Sequence, residues 1–110
     1  MQVFKFGGAS VKNAESVANV ATIVRKFQNE PLVVIVSAMG KTTNALEEVF
    51  QAQQRKEVPL ALELLDKVKL AHFEIINALF DESQTPLRVE VEHLFKQVEN
   101  LLKGFLPPKP

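Results

Sequence analysis

The sequence predicts an α/β fold: a βαβα unit with two parallel strands, its sheet incomplete, followed by a long α-helical hairpin. Three observations carry this. A short apolar stretch ends in Lys5-Phe6-Gly7-Gly8-Ala9-Ser10, a continuous β-branched run fills residues 32 to 36, and two long patterns at helical spacing follow Pro59. At 110 residues the chain has the size of one small domain, which buries roughly 65% of the surface its unfolded form exposes.

Val3, Phe4 and Phe6 mark a strand over residues 1–6. Asn13, followed by Val17, Val20, Ala21, Val24 and Phe27, opens a helix. Leu32-Val33-Val34-Ile35-Val36 reads as a strand covered on both faces in a parallel sheet. The loop from Ser37 to Thr43 then leads into a helix for which Asn44 and Glu47 form a capping-box variant, with Leu46, Val49 and Phe50 on its buried side. From about Leu60 to Phe80, residues Leu64, Leu65, Val68, Ala71, Ile75, Ile76 and Leu79 form a broad apolar stripe. Asp81-Glu82-Ser83-Gln84 breaks it. Thr85 before Pro86 is a natural N-cap and first-turn pair, and Leu87, Val91, Leu94, Val98, Leu101 and Phe105 recur at steps of four and three, the spacing of an antiparallel hairpin. Gly104 supplies a C-cap, and Pro107-Pro108 with Pro110 stops the helix or marks a truncation. The expected divisions are 1–56, the phosphate-binding βαβα part; 57–106, the hairpin; and 107–110, a tail.

Two parallel strands are too few for a stable sheet, so either a larger α/β domain continues beyond these elements or the hairpin and a second copy cover them. Thirteen basic and thirteen acidic side chains cancel, which leaves no long-range field for nucleic acid or an anionic membrane. The absence of cysteine excludes a disulfide framework and a thiolate nucleophile. The apolar run from Leu32 is far short of a membrane span, Lys5 interrupts any signal-like start, and a cytoplasmic address is the default expectation.

The glycines sit in a strand-to-helix turn, where freedom from a Cβ lets Gly7 and Gly8 turn successive N–H groups toward one point, an anion site suited to phosphate. Lys5 adds a cation and Ser10 a hydroxyl. A bare tight turn is the plain alternative, but Ser37-Ala38-Met39-Gly40 leaves the carboxyl end of the second strand, where ligands collect in open α/β sheets. Gly40-Lys41-Thr42 is not a Walker A loop, since Ile35 stands where its first glycine belongs, and Gly7-Gly8 lacks the further glycine of a dinucleotide fingerprint. His72 and His93 lie on the two hairpin helices without partners at ligand spacing, so plain surface or interface histidines are expected.

Lys5-Phe6-Gly7-Gly8-Ala9-Ser10-Val11, with Val34-Ile35-Val36-Ser37-Ala38-Met39-Gly40-Lys41-Thr42-Thr43-Asn44 after it, closely resembles the amino-terminal part of aspartate kinases, members of the amino-acid kinase family. The order, separation and position of the two motifs agree, and the resemblance extends over nearly the whole chain. Ala9 stands where threonine is more usual and Lys41 where glycine is frequent. The resemblance implies transfer of the γ-phosphoryl group of ATP, with Mg2+ held by the nucleotide, to the β-carboxylate of L-aspartate. It implies that Lys5 offsets charge on the transferring group, that the N–H groups of Gly7 and Gly8 hold its oxygens, and that Ser10 assists. It also implies that Thr43 touches aspartate while Ser37, Ala38, Met39 and Gly40 shape the floor between acceptor and phosphate. In that family the adenine segment, further aspartate-binding residues and regulatory domains come later, so an amino-terminal fragment, inactive alone, of a homo-oligomeric enzyme is expected. Another amino-acid kinase, or a non-enzymatic module that self-associates through its hairpin, are the alternative readings.

Overall fold

The computed structural model describes residues 1–80 and 84–104, in two compact units, Met1–Thr43 and Asn44–Pro110. The element order is β1 (Gln2–Phe6), α1 (Ala14–Lys26), β2 (Leu32–Val36), α2 (Thr42–Gln54), α3 (Val58–Leu79) and α4 (Thr85–Leu102), with a 3-10 turn over Gly8–Val11 that the sequence did not announce.

In the first unit β1 and β2 pair in parallel, Gln2 opposite Leu32 and Phe6 opposite Val36. The Gln2 N–H donates to the Pro31 carbonyl at 3.0 Å and the Ser37 N–H to the Phe6 carbonyl at 2.9 Å, so the ladder uses Gln2, Phe4 and Phe6 on β1. Alternation turns the N–H and C=O groups of Val3 and Lys5 to the outer edge. It also puts Phe4 and Phe6 on one face and Val3 and Lys5 on the other. α1 closes against the phenylalanine face, where the Phe27 ring meets Phe4 edge-on at 4.9 Å. Its start is fixed by a capping box: the Asn13 side chain accepts from the Ser16 N–H at 2.8 Å, and the Ser16 hydroxyl oxygen accepts from the Asn13 N–H at 3.0 Å.

β2 departs from expectation. Its sequence is that of a doubly covered strand, yet Val33, Val34, Ile35 and Val36 are all exposed, Val36 by 54%. The sheet has only these two strands among the described residues, and two strands offer β2 a neighbour on one edge alone. The incomplete sheet anticipated from the sequence is what the chain forms.

In the second unit, Val49 and Ala52 of α2 pack with Ala61 and Leu65 of α3, and Leu64, Phe95 and Leu102 border that cluster. α3 and α4 run antiparallel: Leu102 joins the cluster containing Leu65, the His72 ring meets Phe95 at 5.5 Å, and Arg88 donates to the Asn77 side-chain oxygen at 3.2 Å. α2 ends in a Schellman motif, with the Glu57 N–H on the Ala52 carbonyl and the Lys56 N–H on that of Gln53, and Lys56 takes the left-handed position at φ 62°.

Four helix readings change. On α2 only Val49 of the expected buried side is buried, while Leu46 and Phe50 are exposed by 41% and 60%. α2 opens at Thr42, not at an Asn44 cap. Thr85 is the first residue of α4, with Gln84 at the N-cap and no side-chain cap bond. The α4 seam is also displaced, because Phe95 and Leu102 face α3 while Leu94, Val98 and Leu101 are exposed. An alternating four-three step averages about 3.5 residues, short of the 3.6-residue turn, so on a straight helix the stripe drifts away from its partner. Phe105, the terminal prolines and the break at 81–83 lie outside the described residues. Among the described residues no helix is long and apolar enough to cross a membrane.

Candidate functional site

Every residue the sequence singled out for phosphate or acceptor contact lies in the first unit, at the carboxyl ends of β1 and β2. The parallel register sets Phe6 beside Val36, so the two chains leave the sheet at the same level. Two loops result, one from Gly7 to Lys12 and one from Ser37 to Lys41, and they touch: the Gly40 N–H donates to the Gly8 carbonyl at 3.1 Å.

The first loop tightens at once into its 3-10 turn, closed by the Ser10 N–H on the Gly7 carbonyl at 3.0 Å. Gly8 and Ala9 open that turn, and N–H groups in a first helical turn have no acceptor within the helix. No backbone acceptor elsewhere among the described residues takes the N–H of Gly7, Gly8 or Ala9.

The reason for the glycines differs from the conformational one. Gly7 is extended at φ −76° and ψ 176°, and neither it nor Gly8 has positive φ. A Cβ on Gly7 would meet nothing within 4 Å, whereas one on Gly8 would stand 2.7 Å from the Gly40 carbonyl oxygen and 3.4 Å from that of Ala38. Gly8 is thus demanded by the approach of the second loop. The left-handed glycine is Gly40, at φ +52°, packed against the Lys12 backbone.

The second loop has an internal brace that the sequence reading missed. The Thr42 hydroxyl, half-buried, donates to the Met39 carbonyl at 2.6 Å, and the Thr42 N–H reaches the same oxygen at 3.0 Å. A hydroxyl residue three positions after a loop residue and opening a helix is the available signal. Thr43, next along α2, is exposed, as are Ser37, Ala38, Gly40 and Lys41. Lys5 lies on the sheet face away from Phe6, in register with Ile35, and its side chain is exposed. Ser10 is exposed within the 3-10 turn.

The histidines serve the hairpin. His72 donates through Nδ1 to the Val68 carbonyl at 2.8 Å and stacks edge-on with Phe95, and the His93 ring bonds with the Gln97 amide at 3.2 Å. Two further concavities lie on the α3–α4 pair, of about 310 Å³ and 480 Å³, lined by Leu62, Asp66 and Lys69 and by Phe73, Val89 and His93 respectively. Both are remote in sequence from the paired loops.

The sequence is similar to known proteins over most of its length. The sequence model of the amino acid kinase family matches residues 1–102. Aspartokinase 2, chloroplastic, of Arabidopsis thaliana is 35% identical over 105 residues, covering 93% of this chain and 18% of the relative. Aspartokinase 3, chloroplastic, of the same plant is 38% identical over 104 residues, with 93% and 18% covered. The aspartokinase of Chlamydia trachomatis serovar D is 32% identical over 99 residues, with 90% of this chain and 22% of the relative covered. The chain spans about a fifth of the length of these relatives. With the family match running from the first strand through α4, the chain belongs to the amino acid kinase family.

Proposed function

We propose that these residues form the amino-terminal part of an aspartate kinase, which moves the γ-phosphoryl group of ATP to the β-carboxylate of L-aspartate. A carboxylate oxygen bonds to the γ-phosphorus as the bond to the β-phosphate oxygen breaks, giving aspartyl phosphate and ADP. Such a transfer asks the protein mainly for positioning and for neutralisation of charge on the equatorial oxygens. Lys5 supplies the cation and is the catalytic residue of this half of the site. The N–H groups of Gly7 and Gly8 and the Ser10 hydroxyl take phosphate oxygens. Ser37, Ala38, Met39 and Gly40 floor the gap to the acceptor, and Thr43 contacts aspartate. Magnesium arrives with the nucleotide, in keeping with loops that contain no carboxylate between Lys5 and Lys12 or between Ser37 and Thr43.

The observation that carries the proposal is the Gly40 N–H to Gly8 carbonyl bond, which unites a donor-rich loop with a candidate acceptor loop at paired strand ends. The proposal treats residues 1–56 and 57–106 as parts of one kinase domain in a cytoplasmic homo-oligomer. Residues 1–110 alone, with half a site, are inactive on this reading. Trapping with hydroxylamine tests it: the full-length protein should form aspartyl hydroxamate only with ATP, Mg2+ and aspartate together, and the 110-residue chain none. Failure of the full-length protein to form it, or equal turnover of another phosphoryl acceptor, would overturn the assignment to aspartate.

A second reading draws on the exposed stripe of Leu94, Val98 and Leu101. A module that self-associates through α4 would sediment as a dimer or larger and become monomeric with Leu94→Gln and Leu101→Gln. A monomer before substitution rejects it.

A further inference from the structure

Gly8 has a structural role separable from phosphate contact. Its backbone has no need of glycine for conformational reasons, since only Gly40 and Gly104 among the described glycines have positive φ. What the chain needs at Gly8 is emptiness, because a Cβ would stand 2.7 Å from a backbone oxygen that no rotamer change can move aside. Gly7, one residue earlier, has open space where a Cβ would be. The two glycines therefore differ in kind.

The second loop is held from both sides. Its Gly40 N–H is bound by the Gly8 carbonyl, Gly40 in its left-handed conformation lies against the Lys12 backbone, and the Met39 carbonyl is taken by the Thr42 N–H and hydroxyl. Each grip on the second loop lies within four residues of Thr43. We propose that Gly8 and Thr42 are positioning residues, which clasp the second loop to the first and set the distance between phosphate and acceptor. The inference rests on the proposed kinase reading for its catalytic consequence, but the clasp itself does not.

Hydrogen exchange and kinetics on the full-length protein separate the two. In Gly8→Ala, amide exchange in the peptide spanning residues 37–43 should rise at least tenfold, with exchange in β1 and α1 little changed, whereas Gly7→Ala should leave the 37–43 peptide as it was. Unchanged exchange in Gly8→Ala, or an equal rise in Gly7→Ala, overturns the clasp whatever reaction the protein catalyses. Should Gly8→Ala fail to fold, Thr42→Val provides the same test, and Thr42→Ser, which keeps the hydroxyl, should restore protection. For the catalytic consequence, Thr42→Val should lower kcat for phosphoryl transfer by roughly 10- to 100-fold, the scale of an ångström-level misplacement. Its KM for ATP should stay within about twofold, and Thr42→Ser should recover kcat. A loss confined to KM, no rescue by serine, or exchange raised throughout the chain overturns the positioning role.

Discussion

At the scale of single residues, small chemical differences have separable consequences. Gly40 holds φ +52°, a conformation in which an L side chain is crowded by its own carbonyl. Gly40→Ala is expected to cost about 1–2 kcal/mol in urea unfolding. Asn13→Ala removes the side-chain half of the α1 capping box and should cost about 1 kcal/mol, with Asn13→Asp close to neutral. The sequence located these residues unevenly. Asn13 at a helix start was legible because capping depends on chemistry within three residues. Gly8 was flagged as a phosphate donor, but its packing role was not legible, since the carbonyl it must admit belongs to a loop some thirty positions later. Thr42 was passed over because Asn44 and Glu47 carry a more familiar cap pattern, and the hydroxyl bond to Met39 started the helix two residues earlier.

At the scale of elements, the hairpin shows which part of a pattern the fold uses. Phe95, not Leu94, meets the core cluster and the His72 ring. Phe95→Ala should cost about 2 kcal/mol, appropriate to a half-buried ring, while Leu94→Ala should cost under about 0.5 kcal/mol. The reverse order would restore the seam the sequence predicts. Helix identity was legible throughout from the 3.6-residue repeat, but rotation about the helix axis was not, because the apolar arc of α4 from Leu94 to Phe95 is wider than the face α3 can cover.

Charges on the hairpin are peripheral. The side-chain hydrogen bond to Glu92 holds Lys69 above its ordinary pKa of 10.5, and the hydrogen bond from Lys103, with Lys96 beside it, holds Glu99 below its ordinary 4.5. The Lys69 contribution is therefore complete below 10.5 and is lost as pH rises through its folded-state value. The Glu99 contribution is complete above 4.5 and is lost as pH falls through its folded-state value. Melting temperature is expected to be flat with respect to these groups between the two limits, and 1 M salt should shift it little, since both pairs are exposed and weak.

At the scale of the whole molecule, the sequence and the structure agree on an open sheet. Leu32 to Val36 has the composition of an interior strand, but only β1 pairs with it among the described residues. Composition reports the environment for which a strand is suited, not the number of neighbours it has. The paired loops were legible for a related reason: parallel strands joined through a helix must deliver their carboxyl ends to the same edge, so two loops of small residues after two such strands are bound to meet. The hydrogen bond through which they meet, and the division of labour between Gly7 and Gly8, required the fold.

The proposed phosphoryl transfer depends most directly on Lys5, the cation at the end of β1. Lys5→Ala in the full-length protein, assayed for ATP-dependent formation of aspartyl phosphate, should lose roughly 100-fold or more in kcat, about 3 kcal/mol, with the fold intact by circular dichroism. Near-normal turnover by a folded Lys5→Ala protein would contradict it.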